Sequence, residues 1–345
     1  MKKTPKTTQP ISDRFFARGR DFLGCETPIM CGAMTWVSDP KLVAAVCNAG
    51  GFGCLAGGNT PVAILEKQIE ETRKLTAKPF AVNLITIAPA YKEHMEMIQR
   101  IKLPYIVFAG SFPKEKEILA AKATGAKVLC FASTLSIAER MHRYGADALI
   151  LEGSEAGGHI GHVSLIVLLQ EVLFRYSDIP VFVAGGIATG RMAAHMLLMG
   201  ASGVQLGTRF AIATESCAHA KFKDFFLRAE ARDAVSTPQF DSRLPVVAVR
   251  ALRNKGHEIF RKLQLDLVQQ LDRGEIHREQ AQMEVEKFWM GALRKAVIDG
   301  DVENGSLMAG QSVGLVNKVQ PVAEIIQELA AEIEQELRTV KQTLS

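Results

Sequence analysis

Residues 181–210 read VFVAGGIATGRMAAHMLLMGASGVQLGTRF. An apolar run at 181–184 precedes an amphipathic stretch, and Gly200 separates that stretch from a second apolar run at 203–206. A continuous apolar run is typical of a parallel strand that is covered on both faces, and glycine commonly ends a helix. The segment therefore predicts a strand, a helix and a second parallel strand in succession.

The same alternation runs through the chain before this segment. Six more apolar runs are predicted to be strands, at residues 28–31, 53–56, 80–84, 105–109, 127–131 and 148–151. Eight strand-then-helix units by about residue 230 favour a TIM (β/α)8 barrel over a doubly wound open sheet. The first run also lacks the G-x-G-x-x-G turn of a dinucleotide fold, since Gly32-Ala33-Met34 follows it.

The chain has 345 residues, more than the roughly 250 that a barrel needs. We predict a disordered basic tail at 1–15, a TIM barrel at 16–256, and a helical elaboration at 257–345 whose closing segment returns to the active face. Residues 258–294 carry Leu, Gln, Glu and Lys at helical spacing, and a glycine-rich stretch at 299–311 follows them.

Composition excludes several classes of protein. The formal net charge is +4 and the basic residues are spread along the chain, so we expect no nucleic-acid partner. No apolar stretch approaches the roughly 20 residues of a membrane helix, and the N-terminus lacks the pattern of a signal peptide. We expect a soluble cytoplasmic protein. The six cysteines form no Cys-x-x-Cys pair and are predicted to be reduced core thiols; four lie within the first 54 residues, which leaves an iron–sulfur site as an alternative.

The loops after strands seven and eight are rich in glycine. Gly185 and Gly186 follow the seventh strand and Gly207 follows the eighth. In a TIM barrel these two loops commonly hold a phosphate, and we expect the helix that begins near Arg191 to add the partial positive charge of its N-terminus. The alternative is a pair of tight turns that require positive φ.

Two polar residues follow other strands. His159 lies in a loop with four glycines after strand six, where an imidazole can act as a general acid or base. The alternative there is a metal site of Glu155, His159 and His162, although we expect no metal and interpret His162 as a loop residue. Asn83 ends strand three and either faces the site or caps a turn. We interpret Trp36 as lining the mouth and Trp289 as helix packing.

These motifs together resemble the nitronate monooxygenase superfamily, which includes the flavin-dependent enoyl-acyl-carrier-protein reductases. The resemblance rests on five segments in order, at 32–34, 83, 155–159, 184–187 and 205–210. It implies a barrel that binds FMN, with His159 as the catalytic histidine. The cofactor-binding residues that it implies are Ala33, Met34, Asn83, Glu152, Gly157, Gly185, Gly186, Gln205, Gly207 and Thr208.

The resemblance leans towards the reductases. Their branch carries Glu at the position of Glu152, where the nitronate-oxidising members carry Gln, and residues 301–311 resemble a late motif of the reductases. It implies reduction of enoyl thioesters by NADH or NADPH in fatty acid biosynthesis. The chain departs from that branch at His162, where Lys is usual, and in its long helical segment at 258–290, so docking of an acyl carrier protein stays open. The alternatives are oxidation of alkyl nitronates with O2 and a non-catalytic barrel. The family and the amphipathic pattern also predict a homodimer.

Overall fold

The computed structural model describes residues 10–58, 60–244 and 247–345. Residues 1–9 of the predicted tail lie outside the described residues. The first helix, α1 (Ser12–Leu23), begins inside the segment predicted as a tail, so the boundary at residue 15 was wrong. A distant partner holds this helix start, because the N–H groups of Ile11 and Ser12 donate to the Glu334 carboxylate at 3.1 and 2.9 Å.

Eight parallel strands close into a barrel, which confirms the predicted fold. They are β1 (Ile29–Cys31), β2 (Phe52–Ala56), β3 (Ala81–Ile85), β4 (Tyr105–Ala109), β5 (Lys127–Ala132), β6 (Ala148–Glu152), β8 (Val181–Ala184) and β9 (Gly203–Leu206). The ring closes where Ile29 of β1 pairs with Val204 of β9. Each strand starts and ends within one residue of its predicted position, because a short and mostly apolar run leaves little choice of boundary.

Seven helices cover the outside of the barrel between consecutive strands. They are α2 (Pro40–Asn48), α3 (Val62–Leu75), α4 (Tyr91–Arg100), α5 (Glu115–Ala123), α6 (Leu135–Arg143), α7 (Leu165–Val172) and α8 (Gly190–Leu198). Large side chains such as Phe52, Tyr105 and Phe182 fill the interior of the barrel below the mouth. The lower barrel is therefore a packed core, and space for a ligand lies only above it.

The eighth barrel helix comes from much later in the chain than predicted. Helix α13 (Val322–Leu344) packs against α8 and α2 and buries one apolar stripe, formed by Val322, Ile325, Ile326, Leu329, Ile333 and Leu337. The contact with α8 is close, since a Cβ on Gly190 would lie 2.2 Å from the carbonyl oxygen of Leu329. The predicted barrel boundary at residue 256 was therefore wrong, because helical spacing does not identify the strand that a helix covers.

The segment between β9 and α13 lies at the mouth of the barrel. Its elements are α9 (Thr208–Ala211), α10 (Ala220–Arg228), β10 (Ala234–Ser236), β11 (Val249–Leu252), α11 (Lys255–Asp272) and α12 (Arg278–Val297). Helices α11 and α12 lie in the segment predicted as a helical elaboration, and they share a small core that includes Phe260, Leu267 and Trp289. Strands β10 and β11 form a small antiparallel sheet with β7 (Gly158–His159), which the sequence analysis missed. Across the described residues, no helix is long and apolar enough to cross a membrane.

Candidate active site

A cavity of about 300 Å³ opens at the carboxyl ends of the barrel strands. A volume of this size is at the lower end of small-molecule sites, which span roughly 300–1,000 Å³. The structure brings all eleven predicted site residues to its wall: Ala33, Met34, Asn83, Glu152, Gly157, His159, Gly185, Gly186, Gln205, Gly207 and Thr208. His162 is not part of the wall.

The loop after β1 is tight and is attached to the mouth helix α12. The Ser38 hydroxyl donates to the carbonyl of Gly32 at 2.8 Å and accepts from the N–H of Met34 at 3.0 Å. Trp36 has φ of 67°, a left-handed conformation that is uncommon for a bulky residue. Its indole N–H donates to the carbonyl of Met290 in α12 at 3.2 Å. Trp36 therefore lies at the rim of the mouth, as predicted, and ties this loop to α12, although it is not among the residues that line the cavity.

Asn83 and Glu152 bring polar groups into the cavity. Glu152 is the last residue of β6, whereas Asn83 lies in the middle of β3 and does not end it as predicted. Asn83 is only 4% exposed, and its Nδ2 donates to the carbonyl of Val107 at 3.1 Å, so its side chain is held in the site. Burial raises the pKa of Glu152 to about 8, with no cation nearby to oppose the effect. The Glu152 carboxyl is therefore mostly protonated at neutral pH, and a protonated acid can donate as well as accept a hydrogen bond.

The glycine loops are shaped by close backbone contacts. Gly185 and Gly186 have φ of 98° and 71°, so the seventh loop does require positive φ. Gly157 faces the segment at 309–310, where a Cβ would lie 2.5 Å from backbone atoms. The N–H of Gly310 also donates to the Thr208 hydroxyl at 3.0 Å. The late glycine-rich segment therefore completes the cavity wall between the loops that follow β6 and β9.

The start of α8, which was predicted to add positive charge to a phosphate site, is already paired with another part of the protein. Helix α8 begins at Gly190, whose N–H donates at 2.5 Å to the Glu332 carboxylate of α13, and the Thr189 hydroxyl accepts from the N–H of Met192. Other donors lie in the loop after β8 and at Gly207, the N-cap residue of α9. In the described part of the chain, the N–H groups of Gly186 and Gly207 have no protein acceptor, and both residues line the cavity.

His159 lies beside a carboxylate that the sequence analysis missed. Strand β7 pairs with β11, and the His159 side chain is 25% exposed at the cavity wall. Its Nε2 is buried without a hydrogen-bond partner and lies 3.4 Å from Oε1 of Glu286 in α12. Glu286 itself lines the cavity and is 15% exposed. A carboxylate this near can accept a hydrogen bond from the imidazole N–H once their geometry tightens.

The described residues support neither of the two metal sites left open by the sequence, the Glu155, His159 and His162 site or an iron–sulfur site of the early cysteines. The Glu155 carboxylate accepts from the N–H of Leu165 at 2.9 Å and covers the start of α7. Over residues 10–58, 60–244 and 247–345, no three His, Cys, Asp or Glu side chains are grouped to hold a metal. Burial raises the pKa of Cys31 to about 12 and that of Cys47 to about 11, which keeps both as thiols. The prediction of core thiols was wrong for Cys217, which is exposed.

Helix α12 supplies the part of the wall that the sequence could not assign. Glu286, Trp289, Met290, Leu293 and Val297 line the cavity, so Trp289 does more than pack within the hairpin. A helical repeat shows that α12 has an apolar face, but it does not show that the face covers a site formed by residues far away in sequence. The side chains add apolar surface opposite the polar strand ends.

A closed (β/α)8 barrel with convergent polar groups at its carboxyl-terminal mouth defines an enzyme whose ligand binds among the strand-end loops. The model of the nitronate monooxygenase family matches residues 18–100 and 85–332, and the chain belongs to this family. This confirms the resemblance, and the protein is an oxidoreductase.

Similarity to known proteins covers nearly the whole chain. FabK from Thermotoga maritima is 36% identical with a TM-score of 0.83, covering 94% of this chain and 98% of its own. The nitroalkane oxidase from Streptomyces ansochromogenes is 26% identical with a TM-score of 0.77, covering 92% and 98%. A protein of Mycobacterium tuberculosis (strain ATCC 25618 / H37Rv), named (3aS,4S,5R,7aS)-5-hydroxy-7a-methyl-1-oxo-octahydro-1H-indene-4-carboxyl-CoA dehydrogenase, is 30% identical over 92% of this chain and 96% of its own.

Proposed function

We propose that the protein is an FMN-dependent oxidoreductase that reduces enoyl thioesters with NADH or NADPH. The observation that carries this proposal is the position of the late motif at 301–311. Met308 lines the cavity, and the segment at 309–310 packs against Gly157 beside His159. The part of the chain that resembles the reductases is thus in contact with the proposed catalytic loop.

The cavity wall suits FMN in three respects. The unpaired N–H groups of Gly186 and Gly207 fit a phosphate. A Cβ on Gly207 would meet only the Met34 sulfur, at 3.6 Å, so the missing side chain leaves room in the cavity. The amide of Asn83 and the protonated acid of Glu152 offer both donors and acceptors to the polar edge of a flavin ring. When bound, the flavin supplies the hydride-transfer chemistry.

The chain's own residues would bind the substrate and move a proton. Trp289, Met290 and Leu293 of α12 present apolar surface for an acyl chain and exclude water from the mouth. His159 is open to the cavity and would deliver a proton to the α-carbon of the thioester. The thioester carrier would be coenzyme A or acyl carrier protein, and the relative named a carboxyl-CoA dehydrogenase favours coenzyme A.

A second candidate is the oxidation of alkyl nitronates with O2. The family match and the likeness to a nitroalkane oxidase favour it. In this reaction His159 would act as the base for a neutral nitroalkane, and no nicotinamide would be needed.

An anaerobic titration separates the two reactions. The purified protein should show a flavin absorption band that NADH or NADPH bleaches and that an enoyl thioester, as coenzyme A or carrier-protein conjugate, restores. Bleaching by a small nitronate, with no response to either nicotinamide, would replace the proposal with the second candidate. A protein that does not bind FMN would contradict both.

A pair of histidine variants tests the catalytic residue. We expect His159→Gln to lower turnover by about 10² or more, since a positioned general acid typically contributes that much. His162→Gln is the matched control, because His162 is three residues away and outside the cavity wall. Equal turnover in the two variants would remove His159 from the mechanism.

A further inference from the structure

We propose that Glu286 is a positioning residue that keeps one proton of His159 on Nε2, so that the imidazolium gives its Nδ1 proton to the substrate and is left as the neutral Nε2–H tautomer. This inference rests on the proposed function of His159. Glu286 lies on α12, more than a hundred residues from His159 in sequence, and no motif points to it.

The two ring nitrogens of His159 have different surroundings. Nε2 is sealed from solvent, has no hydrogen-bond partner, and lies 3.4 Å from Oε1 of Glu286. Nδ1 is not among the buried unpartnered atoms of the described residues, and no protein group hydrogen-bonds to it. The ring therefore presents Nδ1 to the open cavity and Nε2 to the carboxylate.

The chemistry of the pair selects one tautomer. A neutral imidazole has one N–H donor and one lone pair, whereas a carboxylate only accepts. An Nε2 lone pair facing the carboxylate would leave two acceptors opposed in a buried place, which is unfavourable. The N–H therefore belongs on Nε2. The partner of one ring nitrogen commonly determines which nitrogen carries the proton.

The other charged groups near His159 are engaged elsewhere. Arg250 of β11 pairs with Gly158 across the small sheet, but its guanidinium donates to the carbonyls of Ser154 and Ala234 at 3.1 and 2.6 Å. Glu155 is held by the N–H of Leu165 at the start of α7. Within the described chain, Glu286 is the carboxylate within ion-pair distance of the His159 imidazole.

Because Glu286 lies on α12, the same helix covers the mouth of the cavity and determines the tautomer of His159. Helix α12 covers the mouth and is attached to the β1 loop through Trp36 and Met290. The carboxylate that selects the tautomer of His159 therefore belongs to the helix that covers the mouth.

Nitrogen NMR of the holoenzyme tests the tautomer directly. Protein labelled with 15N-histidine gives ring nitrogen shifts that distinguish Nε2–H from Nδ1–H, and the His159→Gln variant identifies the signals of His159. We expect Nε2–H in the parent at alkaline pH and a mixture of tautomers in Glu286→Leu. The matched control is Glu284→Leu on the same helix, where Glu284 is exposed and paired only with Lys287 at 2.7 Å.

A second variant covers the case in which the first does not fold. If Glu286→Leu does not fold, Glu286→Gln serves instead, because an amide donates as well as accepts and should also give a mixture. An unchanged tautomer in the folded Glu286 variant, or Nδ1–H in the parent, would overturn the proposal.

Turnover separates this inference from the proposed function. We expect Glu286→Leu to lower kcat by about tenfold with KM nearly unchanged, and to add nothing in the His159→Gln background, as for residues that act as a unit. A protein that reduces no enoyl thioester would refute the proposed function, whereas the NMR result would still decide the role of Glu286. An additive double variant would count against Glu286 acting through His159.

Discussion

Replacing Glu152 with glutamine should remove a pH dependence of folding stability. Burial raises the pKa of the Glu152 carboxyl from 4.5 to about 8 in the folded chain, whereas the unfolded chain loses this proton near the ordinary value. Between these two pH values the folded state holds one proton more than the unfolded state. The stabilising effect of Glu152 is therefore complete below about pH 4.5 and is lost as the pH rises through 8.

The size of this change in folding stability follows from the difference between the pKa of Glu152 in the folded chain, about 8, and its ordinary pKa of 4.5. At about 1.4 kcal/mol per pH unit, this gives an upper bound of about 5 kcal/mol. Glu152 as a whole residue is half-buried and its carboxyl borders a cavity that water can enter, so we expect about half of that bound. The free energy of unfolding of the parent should fall relative to Glu152→Gln by about 2–3 kcal/mol between pH 5 and pH 8.5.

Urea unfolding at a series of pH values measures this difference. Flavin-free protein is used so that cofactor affinity does not contribute to stability. Glu171→Gln is the control, because Glu171 is an exposed residue on α7 and its replacement should give no such trend. A difference between parent and Glu152→Gln that stays constant from pH 5 to pH 8.5 would refute the protonated state of Glu152.

Three further substitutions test the cavity wall and the closing helix. Gly157→Ala places a Cβ 2.5 Å from the backbone at 309–310, so we expect the free energy of unfolding in urea to fall by about 2 kcal/mol or more. An unchanged urea midpoint would show that residues 309–310 do not pack this closely against Gly157. Gly207→Ala introduces no clash, and φ at this position is negative, so the flavin-free variant should melt at the same temperature as the parent. Its FMN affinity, measured by fluorescence titration, should fall at least about tenfold. Equal affinity would exclude Gly207 from the phosphate site. Glu332→Ala removes the acceptor of the Gly190 N–H, so we expect the variant to be less stable to thermal unfolding by about 1–2 kcal/mol, with its FMN affinity retained. A loss of FMN affinity would show that the start of α8 contributes to cofactor binding.

The strands were accessible from sequence because they depend on local pattern, whereas most of the site residues came from the resemblance to a known family. Each barrel strand is a short apolar run between polar or glycine-containing segments, and parallel strands bring their carboxyl ends to one face. Residues as distant as Asn83 and Gln205 therefore had to approach one another once the barrel was predicted. The eleven site residues share one cavity for this reason.

Contacts between side chains that are far apart in sequence could not be deduced in the same way. Glu332 and Gly190 are far apart in sequence, and nothing near Gly190 shows that a later carboxylate occupies the start of α8. Glu286 is equally remote from His159, and its helix shows only the usual alternation of faces. The small sheet of β7, β10 and β11 was missed because strands of two to four residues have no distinct repeat.

The late arrival of α13 has a consequence for how the chain folds. During synthesis, β9 and the whole α11–α12 hairpin emerge before Val322, so α8 and α2 keep an uncovered apolar flank until then. The contact of Glu334 with Ser12 spans almost the complete chain, and contacts between such distant residues slow folding. We expect the nascent chain to depend on chaperones until α13 is available, because exposed apolar flanks favour aggregation. A ribosome-stalled chain that ends before Val322 should be cleaved readily by protease, whereas one that extends beyond α13 should be resistant.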